Sequence, residues 1–413
     1  MSPPTSPAHP PALVRARAAV CLTFLANGLG ASNLVPRYPE IVENLGITKE
    51  VFGRAVMASS LGALLAGLTA SWFITRFTSA RVAAIGMIVL GAGLAAAGRA
   101  GHWLLLALCL AWVGGADAVV DVAQNAHGLR VERRWGSSII TSFHAAWSLG
   151  AVLGAAMGQA MAGAGVPLGV HMLLVLLLLS AVSGAAAPWM IKGPDADDRP
   201  DPVPAAPGPG DGPGPGSART GAPGRWLTVL VVVVLSLMCA AAFVPEDIAF
   251  SWSALLLRSQ GAGPAAAGAG VIALQGVMIV GRLAGDAVID RLGPRAVIAT
   301  GGLLVAGGMG FALASSSVPG TLAGLVLAGA GCAVAVPVAY AAADDVPGLR
   351  PGLGLTIVSW LARVIMLLCP PLVGRLVDAH GTQMALVYGL VGGVVLAAGW
   401  PALARRRSSR RRT

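Results

Sequence analysis

Charged residues are scarce in this chain: Asp, Glu, Lys and Arg make up only 11% of its 413 residues. A soluble globular protein averages about 25%, so this chain cannot cover a water-exposed surface with charge. Aromatic residues are also few, at 5%, whereas 56% of the residues are hydrophobic and the mean hydropathy is +0.76. Most of the protein surface is therefore expected to meet lipid.

The motifs of nucleotide-driven and hydrolytic chemistry are missing as well. The sequence has no Walker A motif, no Gly-x-Ser-x-Gly, no His-Glu-x-x-His and no cysteine–histidine cluster with metal-ligand spacing. Its five cysteines stand singly in apolar stretches, which argues against a disulfide framework. We expect no enzyme activity, no cofactor and no metal.

What the sequence does have is a series of long apolar stretches. About 20 apolar residues are needed to cross roughly 30 Å of hydrocarbon. Twelve stretches meet this requirement: 17–38, 53–74, 82–100, 103–125, 138–162, 168–190, 226–257, 265–285, 296–315, 320–342, 353–375 and 383–404. The predicted fold class is an all-α membrane protein with twelve transmembrane helices in two pseudo-symmetric six-helix bundles.

A segment rich in Pro, Gly and Asp separates the two sets of six spans. It covers residues 192–225 and is predicted to be a flexible cytoplasmic linker, because Pro, Gly and Asp dominate it and it has almost no large apolar side chain to bury. The predicted domains are an N-terminal bundle (1–191), this linker, a C-terminal bundle (226–404) and a basic cytoplasmic tail (405–413). Two bundles joined in this way are typical of transporters whose halves rock against each other.

Lys and Arg set the predicted orientation. Most of the 28 basic residues fall on the side of the two termini and the linker, so the positive-inside rule places both termini in the cytoplasm. The net charge of +10 is then explained by basic loops and a tail that lie at the membrane surface, not by nucleic-acid binding. We expect a multi-pass monomer in the inner membrane, with lipid and a small-molecule substrate as its partners.

Polar side chains are concentrated in particular spans. Spans 3, 6, 9 and 12 carry almost none at depth, and His171 is one of the few exceptions. Polar groups in the remaining spans are Asn27, Asn33, Asp117, Asp121, His144, Glu246, Gln275, Arg282 and Arg363. Ionisable groups are costly in hydrocarbon and normally face a cavity or each other, so every third helix is predicted to be a lipid-facing scaffold. This arrangement resembles that of the major facilitator fold.

One loop resembles the signature cytoplasmic loop of the major facilitator superfamily. It is GRLAGDAVIDRLGPR at 281–295, and SWFITRFTSAR at 71–81 is its counterpart in the first half. The resemblance implies a cytoplasmic gate that closes in the outward-open state. Its predicted members are Arg76, Arg81, Asp121, Arg282, Asp286, Asp290, Arg291 and Arg295.

Other segments resemble one bacterial branch of that superfamily. They are RYPEIVENLGI, DVAQNAHGLRVERRWG, SFHAAWSLGAVLGA and EDIAFSWSALLL, which lie in both halves of the chain. The branch consists of uncharacterised inner-membrane permeases related to the fucose-type sugar permeases, so the resemblance implies transport of a small molecule.

Three residues are candidates for proton coupling: Asp117, His144 and Glu246. Counted from the predicted span ends, Asp117 and His144 lie roughly 12 and 10 Å from the cytoplasmic side. Groups of these two types at one depth can exchange a proton at physiological pH, but they can equally form a structural pair. Glu246 lies either near mid-membrane as a proton carrier or at the outer mouth beside Asp247. Pro245 is expected to break its span.

The predicted substrate cavity is formed by Asn27, Asn33, Gln275, Trp360 and Arg363. An unpaired arginine at mid-bilayer costs several kcal/mol. Two roles for Arg363 therefore stay open, binding of an anionic substrate group or pairing with Glu246. Trp360, one helical turn away, can stack on a ring or serve packing.

Three functions are consistent with the sequence. The first is a secondary active transporter that moves a small polar molecule by alternating access and is coupled to protons. The second is an exporter of a hydrophobic or amphipathic compound, which an apolar cavity with few polar anchors would favour. The third, of a different class, is a membrane receptor or membrane enzyme, although the sequence shows neither a catalytic cluster nor a soluble output domain.

Overall fold

The computed structural model describes residues 10–136, 139–195, 225–344, 346, 349 and 353–403. In this part of the chain, eleven helices are long and apolar enough to cross a membrane, and one bent pair makes a possible twelfth. The all-α class is confirmed. Of the predicted linker, residues 196–224 lie outside the described residues, and so does the predicted tail 405–413.

The first half contains six spans. They are α1 (Pro11–Ser32), α2 (Lys49–Gly67, then Ala70–Phe77), α3 (Ser79–Ala97), α4 (Trp103–Trp135), α5 (Ile140–Gly163) and α6 (Leu168–Ala186). The two parts of α2 are bent by 50°. A short helix, Tyr38–Leu45, connects α1 to α2.

The second half repeats this number of spans. They are α7 (Arg225–Asp247, then Ile248–Trp252 and Ser253–Ser259), α8 (269–292), α9 (294–315), α10 (Val318–Cys332, then Ala335–Asp344), α11 (Leu353–His380) and α12 (Met384–Ala398). The helices extend beyond several predicted limits, most of all in α4, which continues ten residues past the predicted end at 125.

One break and one helical irregularity have identifiable chemical causes. Gly293 has φ of 79° and ψ of 154° within Ala269–Ser315, and this left-handed backbone ends α8 before Pro294 starts α9. In α7, Pro245 is followed by a π-helical turn over Ile248–Trp252. Proline removes a backbone donor, and single π turns are frequent at functional sites. The segment Trp226–Ser259 nevertheless forms one continuous span, so the break predicted at Pro245 is wrong, and the structure has a local π-helical turn in its place.

Glycines allow α1 and α5 to approach each other closely. A Cβ atom at Gly150 would overlap the carbonyl oxygen of Leu25, and one at Gly154 would overlap that of Leu29. The sequence spacing of Gly150, Gly154 and Gly158 predicts such packing, and the structure confirms it. Side chains from both helices are thereby held near the centre of the bundle.

The two halves meet along two helix pairs, α2 with α11 and α5 with α8. The halves also meet at one end of the bundle, which contains residues 38–53 and 252–268 and where the helix Tyr38–Leu45 contacts Ser253–Ser259. Here Phe52 packs against Trp252 with ring centroids 6.1 Å apart, and both side chains are almost fully buried. We call this region the closed end.

Candidate functional site

A glutamate–arginine pair lies between the two halves. Arg282 of α8 donates from Nη2 to Oε1 of Glu246 at 2.8 Å and from Nη1 to the hydroxyl of Ser148 at 2.7 Å. Glu246 belongs to α7 of the same half, whereas Ser148 belongs to α5 of the other. The ion pair is partly buried, with side-chain exposures of 29% for Arg282 and 22% for Glu246. The arginine therefore connects a carboxylate to the opposite half of the protein.

This position differs from the one predicted for Arg282. The sequence places it in the cytoplasmic gate because it opens the signature loop, but in the structure it lies eleven residues before the break at Gly293, roughly 16 Å along the helix. Arg282 also pairs with Glu246, the residue that the sequence offers as a partner for Arg363.

A cavity of about 340 Å³ lies beside this pair, between α2, α7 and α11. Its polar lining consists of Ser60, Glu246, Asp247 and Arg363. Leu64, Phe243, Phe250 and Met366 contribute to its apolar lining. Arg363 thus lines this cavity, and its place in a substrate cavity stays a prediction.

Asp117 forms a buried hydrogen-bond chain through the first half. Asn27 donates from Nδ2 to Oδ1 of Asp117 at 2.7 Å, and its Oδ1 accepts from Nε1 of Trp147 at 2.7 Å. Asn27 is only 4% exposed, and both ends of its amide are already bonded. The structure therefore gives Asn27 the role of positioning Asp117, whereas the sequence analysis placed it among the cavity residues.

His144 interacts with a different carboxylate from the one predicted. Its electrostatic partner is Asp121. Its ring also packs edge-on against Phe24, with ring centroids 5.3 Å apart. The reason is the length of α4, which ends at Trp135 instead of 125. Asp117 is consequently about three turns further from the helix end than the sequence count assumed, whereas His144 lies in the first turn and a half of α5.

Asn33 lies apart from the cavity, in a buried polar network of the first half. Its Oδ1 faces Nε2 of His171 at 3.0 Å, and Nδ1 of His171 faces Nη1 of Arg37 at 3.3 Å. Because arginine only donates, Nδ1 of His171 must accept, and Nε2 carries the proton that goes to Asn33. Arg37 also binds Glu40, with Nε donating to Oε2 at 2.6 Å. This arrangement indicates a structural role.

Gln275 and Trp360 occupy very different environments. Gln275 of α8 is fully buried, and neither its Nε2 nor its Oε1 has a hydrogen-bond partner in the structure. Trp360 is 52% exposed on α11. Neither side chain is among those that line the 340 Å³ cavity.

Several of the predicted gate residues lie near the end opposite the closed end, whereas Arg282 lies beside the cavity and Asp121 in the middle of α4. Arg76 stacks on Phe77, and Arg81 lies in the first turn of α3. Asp121 accepts from Asn125 at 3.0 Å. Besides Arg282 and Asp286, the predicted gate members of the second half are Asp290, Arg291 and Arg295.

Arg295 has the best-defined contacts of this group. It donates from Nε to the carbonyl of Leu403 at 2.6 Å and lies over the ring of Trp400, so it ties α9 to the end of α12. The side chain of Asp286 lies outside the described residues, and its place in a gate stays a prediction.

A contact between Asp378 of α11 and the start of α2, which we call the latch, was not predicted from the sequence. Asp378 of α11 accepts the backbone N–H groups of Lys49 at 3.0 Å and of Glu50 at 2.7 Å. These groups begin α2, where the unpaired N–H donors and the helix dipole favour a carboxylate. An acid next to a helix start is visible in sequence only when both are on the same helix, so no local pattern could have indicated this contact.

Asp378→Ala is expected to loosen the closed end. Losing a carboxylate cap from a helix start costs about 1 kcal/mol, which corresponds to a shift of roughly fivefold in the balance between closed and open forms. Spin labels at Asn44 and His380 would report this as a larger population of long distances. Glu50→Ala is the control, because it removes the Arg54–Glu50 pair within α2. Equal distance distributions in Asp378→Ala and the parent would contradict the latch.

The fold and site can now be compared with known proteins. The family model of the Major Facilitator Superfamily matches residues 20–288, about two thirds of the chain. The chain belongs to this superfamily. Superfamily members span the membrane with two six-helix bundles, which agrees with the twelve spans described above. The transporter class is thus established, whereas the substrate is not.

Relatives and solved structures support the same assignment. An uncharacterized transporter of Sinorhizobium fredii is 28% identical over 376 residues, covering 90% of this chain and 93% of the relative. Membrane protein MosC of Rhizobium meliloti is 26% identical over 391 residues, covering 94% and 90%. The fold resembles a bacterial homolog of the human lysosomal transporter Spinster in an inward-facing conformation, with a TM-score of 0.72, 15% identity and coverage of 95% and 97%.

Proposed function

We propose that this superfamily member is a secondary active transporter that moves a small polar molecule by alternating access and is driven by protons. The observation that carries the proposal is the link from Glu246 through Arg282 to Ser148, beside a cavity lined by residues of both halves. A titratable carboxylate is thereby joined to the contact between the halves.

Protonation of Glu246 would remove the counter-charge of Arg282. The arginine would then have to find another acceptor, because an unpaired guanidinium inside the membrane is costly. Its bond to Ser148 crosses the interface, so a change of partner at Arg282 alters a contact between the halves. This supplies a physical route from proton binding to a conformational switch.

Asp117 is the second carboxylate of the proposal. It is linked to α1 and α5 through Asn27 and Trp147. The ring centroids of Trp147 and Phe250 of α7 are 6.2 Å apart. A rearrangement at Asp117 can therefore be transmitted through Trp147 to the other half, which is a second path between the halves. His144, near Asp121, is retained as an auxiliary proton-binding group.

The fucose-type branch assignment is part of the proposal. The transporter FucP in its outward conformation has a TM-score of 0.59 and 14% identity, with coverage of 95% of this chain and 100% of FucP. This likeness concerns the fold. The branch assignment therefore rests on the sequence segments in both halves, and it favours a polar, small substrate.

Transport in proteoliposomes tests the function directly. With an imposed pH gradient and a mixture of small polar metabolites, at least one solute is expected to accumulate, as measured by mass spectrometry, together with proton movement reported by a pH-sensitive dye. Accumulation that is indifferent to the pH gradient would contradict proton coupling.

One observation favours the alternative, export of a hydrophobic or amphipathic compound. A groove of about 890 Å³ between α2, α3 and α4 is lined by apolar side chains such as Leu65, Phe73 and Trp112. These three side chains are exposed. Gradient-driven movement of ethidium in the same proteoliposomes, with no polar solute transported, would support export instead.

We further propose that the protein lies in the inner membrane as a monomer, with both termini and the linker in the cytoplasm. The excess of basic residues on that side supports this orientation, and the closed end is then the outer face. Reporter fusions at residue 205 and at the C-terminus are both expected to give cytoplasmic signals. An external signal from either fusion would reverse the assignment.

A further inference from the structure

The charges that line the central cavity are not all compensated within the protein. Glu246 is paired with Arg282 at 2.8 Å. Two charged residues of the lining then remain, Asp247 on α7 and Arg363 on α11. They form no ion pair with each other in the structure, although both line the same cavity. The cavity thus offers one negative and one positive group to a ligand.

Asp247 has an unused acceptor. Its Oδ1 accepts from the hydroxyl of Ser251 at 3.0 Å, whereas its Oδ2 is buried and has no hydrogen-bond partner. Leaving a buried polar atom unsatisfied costs about 1–3 kcal/mol, and more when the group is charged. A ligand that brings a strong N–H donor to this oxygen would recover that energy.

Arg363 has unused donors. Its side chain is exposed. Asp121 of α4 is an electrostatic neighbour of its guanidinium, but no direct hydrogen bond or ion pair joins the guanidinium to another described residue. A guanidinium has five donors in a planar fork that matches a carboxylate. Since an unpaired arginine inside a membrane is costly, an anionic ligand group would be its natural partner.

The remaining lining of the cavity is largely apolar. Phe243, Phe250, Met366 and Leu367 surround the two charged groups, and Ser60 is the one hydroxyl among the lining residues. The volume of about 340 Å³ is at the small end of the range for ligand pockets. A polyol would leave most of its hydroxyl groups without partners in such a lining.

We propose that the cavity binds a small zwitterion of the amino-acid type, with its amine on Asp247, its carboxylate on Arg363 and an apolar side group among Phe243, Phe250 and Met366. This inference rests on the proposed transport function, because it names the substrate class of the same site. A ligand with only one charge would leave either the buried acceptor or the guanidinium uncompensated.

Matched ligands separate the two charged contacts. The probes are L-phenylalanine, phenethylamine, which lacks the carboxylate, and 3-phenylpropanoate, which lacks the amine. L-leucine, isopentylamine and 4-methylpentanoate form a second set with a smaller side group. Binding to the purified full-length protein is measured by isothermal titration calorimetry. Within at least one set, the zwitterion is expected to bind at least about tenfold more tightly than either analogue.

Two variants then assign each contact. Arg363→Gln should remove the preference for the zwitterion over the amine, and Asp247→Asn should remove its preference over the acid. Arg54→Gln, which changes an exposed pair on α2, should retain both preferences. A structural role of either residue would instead weaken all ligands of a set by the same factor, and this result would overturn the assignment.

The outcomes distinguish this inference from the proposed function. If neither zwitterion binds more tightly than its analogues, the inference is wrong, even when the proteoliposomes accumulate another polar solute. If zwitterions bind with the expected preferences but nothing is transported, the site assignment stands and the transport proposal fails.

Discussion

Neutralising Asp117 or Glu246 is expected to abolish accumulation of substrate driven by a proton gradient. Each pH unit across the membrane supplies about 1.4 kcal/mol per proton, and each 100 mV about 2.3 kcal/mol per charge. A carboxylate that binds the proton in one state and releases it in the other transmits this energy. Asparagine and glutamine keep the shape of the side chain but cannot carry the proton.

The expected phenotypes of Asp117→Asn and Glu246→Gln are specific. Both variants should lose net accumulation, whereas at least one should retain exchange of substrate across the membrane without a gradient. Glu246→Gln is the better candidate for retained exchange, because the glutamine oxygen can still accept from Arg282, now at 2.8 Å from the carboxylate.

The control for this pair is Glu50→Gln. It also neutralises a carboxylate in a close pair with arginine, but that pair lies on the exposed start of α2, with 52% and 32% of the side chains exposed. We expect Glu50→Gln to accumulate substrate to the same level as the parent protein. If Asp117→Asn and Glu246→Gln both concentrate substrate as the parent does, proton coupling lies elsewhere or the protein is a facilitator.

Gly150→Val is expected to disrupt both folding and transport. A Cβ at this position would overlap the backbone of Leu25, which cannot move aside as a flexible side chain would. Overpacking typically costs about 1–3 kcal/mol, and here α1 and α5 would have to separate. The bond from Trp147 to Asn27, 2.7 Å long and one turn away, would be strained at the same time.

Thermal unfolding of the purified protein measures this effect. For Gly150→Val, the melting temperature should fall by at least several degrees, and transport should be lost in proteoliposomes. Gly184→Val is the matched control, because Gly184 is an exposed residue of α6 whose Cβ would have no neighbour within 4 Å. Equal melting temperatures for the two variants would show that α1 and α5 are not held as closely as the structure indicates.

Some features follow from composition and local pattern alone. Long apolar stretches must form helices in a membrane, because no water is present to satisfy their backbone groups, and this gives the number of spans. The glycine spacing in α5 predicts the close packing against α1. These predictions succeed because each depends on residues near one another in the chain.

The sequence alone does not show which side chains on different helices become partners. Counting along a span estimates depth, but it does not give the direction in which a side chain points, which changes by about 100° per residue. The count also fails where a helix end is misplaced, as in α4. For these reasons the sequence predicts a gate position for Arg282 and gives no indication of the contact that Asp378 makes.

The sequence by itself determined that this protein crosses the membrane many times, in two similar halves, with the ionisable groups of its spans confined to particular helices. Only the tertiary structure decided which of them meet: Glu246 with Arg282 and Ser148, Asp117 with Asn27. The physical reason is that burial in lipid is a property of each helix separately, whereas an ion pair depends on how two helices are rotated and placed against each other.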